Sequence, residues 1–98
     1  MESSTNTTGT TPHEHLYKCL GRVIRERRKT LSLSQEELAA GAGVDRAFLS
    51  NVEQGQRRPS FGTIARIADG LKIKYSRLVA QCEKCQVETA KVPEEPAV

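Results

Sequence analysis

Ala47, Ser50, Asn51 and Gln54 fall on one side of a helical wheel, with Arg46 on the flank and Leu49 and Val52 opposite. These side chains are of the kinds that read nucleic-acid base edges. Arginine sets two parallel N–H donors on guanine, asparagine makes a two-bond contact to adenine, and an alanine methyl packs on a thymine methyl. By themselves such residues are also what the solvated face of any surface helix carries. Their weight comes from the residues that surround them.

Ser34 is followed three residues later by Glu37, the pattern in which a hydroxyl and a carboxylate cap a helix N-terminus reciprocally. Leu38, Ala39 and Ala42 then make a small apolar face. Gly43 stands where a helix end needs a residue free to adopt positive φ. Asp45 is a suitable N-cap for the next helix, which Gln54-Gly55 ends. Leu49 and Val52 close over Leu38, Ala42 and Val44, and the small Ala39 permits close helix crossing. The stretch Ser34–Val52 is therefore two short helices joined by a tight turn. A pair of that shape presents its second helix to a DNA major groove.

These residues carry a family resemblance. Ser34-Gln35-Glu36-Glu37-Leu38-Ala39, Gly43-Val44, Leu49-Ser50, Glu53, Gly55 and Arg58-Pro59-Ser60 resemble the phage repressor/Cro-like (XRE-type) helix-turn-helix family, from about Leu16 to Leu78. Asp45-Arg46 and Phe48-Leu49-Ser50 are also similar to the controller proteins of restriction-modification systems. The resemblance implies an all-α fold: a compact, five-helix, lambda-repressor-like domain that binds double-stranded DNA as a homodimer on a palindromic operator. It implies base contacts by Arg46, Ala47, Ser50 and Asn51, and a phosphate contact by Gln35. It also implies a structural pair between Arg28 and Glu53. Ala47 departs from the polar residue frequent at its position, which shifts direct readout onto Arg46 and Asn51. Given that docking geometry, Arg57 and Arg58 follow the recognition helix where the chain passes the sugar-phosphate backbone. Phosphate contact is expected there, with minor-groove insertion by one of them as a variant.

Along the chain, composition divides residues 1–13 as a disordered Ser/Thr/Asn-rich arm, 14–85 as the DNA-binding domain and 86–98 as a flexible tail. The first helix is expected from His15 to Leu31, with Leu16, Leu20, Val23, Ile24 and Leu31 as its buried stripe. Ser60 caps a fourth, on which Phe61, Ile64, Ile67, Ala68 and Leu71 recur at helical spacing. A fifth is expected from about Tyr75 to Lys84, and the tail from Gln86 onward either is loose throughout or follows a short helical extension. Tyr75, Leu78 and Val79 either complete the monomer core or cover a second subunit.

The 98 residues suit one domain, and 15 Lys+Arg against 12 Asp+Glu leave a net charge of +3. Residues 16–60 hold nine basic and five acidic side chains, a local +4, and the remainder sums to −1. A basic half that carries the motif suits phosphate attraction. Arg22, Arg25 and Lys29 belong instead to the solvated side of the first helix. No apolar run is long enough for a membrane span or a secretion signal, so a cytoplasmic location is expected.

Cys82-x-x-Cys85, with Cys19, His13 and His15, holds enough N and S ligands for a metal. The CxxC lies on a predicted helix, however, and Cys19 and Cys82 fall on apolar faces, where a thiol behaves as a small hydrophobe. The expectation is free thiols, Cys19 near Cys82, no metal or other cofactor and no permanent disulfide. No Gly-rich phosphate loop, carboxylate pair or Ser/His/Asp set stands out, which excludes the common enzyme classes and any recognisable small-molecule substrate. Two other readings stay open, an antitoxin or interaction adaptor on the same fold and a metal- or thiol-switched regulator.

Overall fold

The computed structural model describes residues 12–94, with side chains described over 13–87. Five helices follow one another: α1 Pro12–Thr30, α2 Gln35–Ala42, α3 Arg46–Glu53, α4 Phe61–Gly70 and α5 Tyr75–Glu94. The described residues contain no strand.

Three of the helices start on caps legible in the sequence. Ser34 Oγ accepts from the Glu37 backbone N–H at 3.0 Å while Glu37 Oε1 accepts from the Ser34 N–H at 2.8 Å. Asp45 accepts from the Phe48 N–H at 2.9 Å, and Ser60 from the Thr63 N–H at 3.1 Å. Each such cap is worth about 1 kcal/mol of helix stability. Gly43 ends α2 at φ 72°, and its N–H returns to Ala39 and Ala40.

The two outer helices run further than their apolar stripes indicate. α1 begins at Pro12, because a proline in the first turn gives up only an N–H that has no partner there. Pro12 and His13, assigned above to the arm, are thus helical, and the rest of that expected arm lies outside the described residues. α5 continues past Lys84 to Glu94, so the expected loose tail is helical over 86–94. No glycine or proline interrupts residues 75–92, and a helix already packed at its start propagates through such a run.

Leu20, Val23 and Ile24 of α1 meet Leu38, Ala39 and Ala42 of α2, Leu49 and Val52 of α3, Ile67 and Ala68 of α4, Leu71 just after it, and Leu78 and Cys82 of α5 in one buried cluster. Leu16 and Leu31 lie only half-buried at its margin. α1 packs on α5 and α3, while α2 packs on α4 and α3. Arg27 of α1 donates to the carbonyls of Leu71 and Lys72 at 3.0 and 3.1 Å, and Arg66 of α4 donates to the Ala42 carbonyl at 3.0 Å. Both arginines satisfy carbonyls that a helix end leaves without an internal partner.

One expectation about apolar residues is corrected, and one open alternative is decided. Phe61 leaves the buried stripe of α4 and is 65% exposed, because it is the first residue of its helix and projects past the core. Leu78 belongs wholly to the monomer core, while Tyr75 and Val79 stay exposed. The Phe61 and Tyr75 rings meet edge to face with centroids 5.2 Å apart.

The cysteines also require a correction. Cys19 is joined to Cys85 by a disulfide, and the free thiol is Cys82. The physical reason is the length and direction of α5. Arg27 near the end of α1 reaches Lys72 in the turn before α5, so the helices run antiparallel and Cys19 comes opposite a later turn of α5. There the Cys19 and Cys85 Cα atoms are 5.9 Å apart, a separation that disulfides span readily.

Candidate nucleic-acid interface

α3 is anchored from behind. Leu49 and Val52 are sealed in the core, and Glu53, at 8% exposure, is its buried charged residue among those described. Glu53 meets Arg28 of α1 through two bonds, Nε to Oε2 at 2.7 Å and Nη2 to Oε1 at 3.0 Å. Arg28 Nη1 also donates to the Leu33 carbonyl at 2.9 Å, and Gln35 Nε2 donates to Glu53 Oε1 at 3.0 Å. Its hydrogen bond to Glu53 is the main cause that raises the Arg28 pKa above its ordinary value. One charge-assisted network thereby ties α1, the start of α2 and the end of α3 into a fixed angle.

A second constraint on that angle is steric. Gly21, midway along α1, lies against the backbone carbonyls of Val52 and Glu53, where a Cβ would collide. The residue passes unnoticed among helical positions, although an isolated glycine inside a helical pattern is the ordinary signal of close backbone approach.

With its apolar side locked, α3 turns its other side outward. Arg46, Ala47 and Gln54 are exposed, and Ser50 and Asn51 are half-buried at the same surface. Gln54 Nε2 donates to Ser50 Oγ at 3.2 Å, so these two hold each other along the helix. Arg46 also borders an open concavity with Ser34, Gln35 and Glu36 at the start of α2. The structure therefore brings Arg46, Ser34 and Gln35 to one edge. Gln35 stands there with its amide already engaged by Glu53, so the ion pair and the expected phosphate contact draw on the same group.

Arg57 and Arg58 are both exposed after α3, and each lies over an aromatic ring. The Arg57 guanidinium is 5.0 Å from the Phe48 ring centroid and that of Arg58 is 5.4 Å from Tyr17. Such stacking restrains a long cation without neutralising it. Tyr17 and Phe48 are the positioning residues that periodicity did not reveal. No local spacing rule links either one to a residue of this loop.

The candidate metal ligands are placed differently. Cys19 and Cys85 are bonded to each other, and Cys82 is buried in the core, where loss of solvent pushes its thiol up to about 11. Among the described residues no group of three or more His, Cys, Asp or Glu is arranged to hold a metal ion. No helix among the described residues is long and apolar enough to cross a membrane.

The assembly of a capped α2, a tight turn and an outward-facing α3 coincides with a known sequence pattern, since residues 24–78 match the helix-turn-helix model. The chain belongs to the helix-turn-helix family. Within that family it is similar to the ImmF control region 10 kDa protein of Bacillus phage phi105, with 43% identity over 51 residues, 52% of this chain and 57% of that protein. The control protein C.MunI of a Mycoplasma species is 38% identical over 58 residues, covering 59% of this chain and 78% of that one. Among solved structures, the restriction-modification controller protein C.AhdI from Aeromonas hydrophila superposes with a TM-score of 0.61 at 41% identity. That match covers 64% of this chain and 94% of the controller. Of the phage protein's length this helix-turn-helix chain spans little more than half.

Proposed function

We propose that this chain is a sequence-specific DNA-binding transcriptional regulator, acting in the cytoplasm as a homodimer on a two-fold-symmetric site. One observation carries the reading: α3 is locked by Leu49, Val52 and the Arg28–Glu53 pair, while its Arg46, Ala47, Ser50 and Asn51 side faces solvent. Rigid support behind an exposed polar helix is what a groove-reading element needs. In this reading Arg46 and Asn51 contact base edges, with Ala47 and Ser50 beside them, and Gln35, Arg57 and Arg58 hold phosphates. The role is one of binding and calls for no catalytic step or cofactor.

Support for the dimer comes from the exposed Phe61, Tyr75 and Val79, three large apolar side chains on α4 and α5. A second copy would cover them and present two α3 helices together. Names of the relatives, a control-region protein and controllers of restriction-modification systems, agree with a regulatory role.

Selection of bound sites from random DNA duplexes tests the reading. The expected outcome is a palindromic motif with half-site centres about one helical turn, roughly 34 Å, apart. Recovery of no enriched motif by well-folded protein would overturn it.

A further inference from the structure

The Cys19–Cys85 bond joins α1, on which α3 packs, to α5. On α1, Cys19 sits among residues that touch the recognition element. Tyr17 lies under Arg58, Lys18 is close against Gly55, and Gly21 abuts Val52 and Glu53. On α5, Cys85 follows Leu78 and Cys82 on the inward stripe and is half-buried, while Val87 beyond it is exposed. The bond therefore ties α5, beyond Leu78 and Cys82, to α1.

We propose that Cys19 and Cys85 are a reversible oxidation site, with a hydroperoxide as oxidant and a dithiol as reductant, and that closing it clamps α5 onto the part of α1 that positions α3. Three observations support a switchable pair over a bond needed for folding. The largest part of the core cluster and the Arg27, Arg28 and Arg66 interlocks are made by residues other than Cys19 and Cys85. The accessibilities are unequal, since Cys19 is 3% exposed whereas Cys85 is partly open to solvent. His15 lies one turn before Cys19 on the same side of α1, and its buried Nε2 has no hydrogen-bond partner among the described residues. An imidazole at that place can take up the thiol proton as the sulfur reacts.

The chemistry balances. The Cys85 thiolate attacks the peroxide O–O bond, giving a sulfenic acid and releasing hydroxide or alkoxide. The Cys19 thiolate then displaces hydroxide from the Cys85 sulfur and forms the S–S bond. Two thiols lose two electrons, and hydrogen peroxide becomes two waters. A dithiol returns both electrons through a mixed disulfide. Cys82, three residues away on α5 but sealed in the core, stays out of the exchange.

The effect on DNA rests on the proposed function; the oxidation site itself does not. Full-length protein is reduced with a dithiol, treated with hydrogen peroxide, and mapped by alkylation and peptide mass. The expected product is one linkage between the Cys19 and Cys85 peptides that the dithiol reverses. Trypsin should cut at Lys84 more slowly in the oxidised form. That form should also bind a selected duplex about threefold or more tighter, because the clamp removes freedom that binding would otherwise have to freeze. Cys85→Ala and Cys19→Ala should hold the reduced-state affinity under both conditions. If Cys19→Ala loses its helical circular dichroism, Cys85→Ala and the wild-type comparison still decide. Peroxide treatment that leaves Cys19 and Cys85 unlinked overturns the site, and linkage with unchanged affinity and proteolysis overturns the clamp. If neither form selects any duplex, the proposed function fails separately, and the mapping still judges the oxidation site.

Discussion

Arg28 and Glu53, 25 residues apart in sequence, form a two-pronged ion pair of 2.7 and 3.0 Å with side chains only 11% and 2% exposed. The pair fixes where α3 ends. Removing one partner leaves the other as an unmatched buried charge, which costs more than the pair contributes. Glu53→Ala should lower stability by about 3 kcal/mol. In a domain of this size that is a fall of roughly 12–24 °C in the thermal midpoint. A loss below about 1 kcal/mol would show that the pair orients α3 without stabilising it.

Gly21 gives a second, purely steric test. In Gly21→Ala the new methyl meets the Val52 and Glu53 carbonyls, and α1 must back away from α3. Overpacking of this kind costs about 1–3 kcal/mol, against the gain that Ala normally brings to a helix interior. Chemical denaturation should show a loss, and DNA affinity should fall with it because the helix angle changes. A more stable variant would mean that the contact relaxes freely.

Arg46 and Arg57 should separate base reading from phosphate holding. Arg46→Ala is expected to lose about 1–3 kcal/mol on the preferred duplex and to relax selection at one base pair, and Asn51→Ala likewise at another. Arg57→Ala should weaken all duplexes alike and reduce the salt dependence by about one unit of slope. Titrations at several salt concentrations distinguish the two. Unchanged preference in Arg46→Ala would remove Arg46 from the reading face.

Tyr75 and Val79 are exposed in the monomer, so charging them should leave its fold intact. Tyr75→Glu or Val79→Glu should shift sedimentation toward the monomer and weaken binding to a full palindrome more than to a half-site. A dimer that survives both changes must use another face.

Cys82 links burial to pH. Its thiol is pushed from 9.0 to about 11 by desolvation, so the folded chain holds that proton more tightly than the unfolded chain does. The resulting stability is fully present below pH 9 and is lost as pH rises from about 9 through 11. Wild type should therefore lose more stability than Cys82→Ala across that window. At pH 8, alkylation of Cys82 should be slow in the folded protein and fast in denaturant. Equal rates would place the thiol at the surface.

Much of this protein is decided by short-range chemistry and can be read along the chain. Ser34, Asp45 and Ser60 cap helices because a side-chain oxygen three residues before an N–H reaches it whatever the rest of the fold does. Leu49 and Val52 face inward and Ala47 and Gln54 outward because 100° per residue puts the two pairs on opposite sides of the helix once one side is buried. The tertiary structure decided what depends on distant segments meeting. Leu78 went to the core while Tyr75 stayed out, Phe61 left its stripe to stack on Tyr75, and Gly21 became the contact point with α3. Cys85, not Cys82, faces Cys19 because the antiparallel path of α5 along α1 sets that register, and residue spacing within one helix carries no information about its alignment with another.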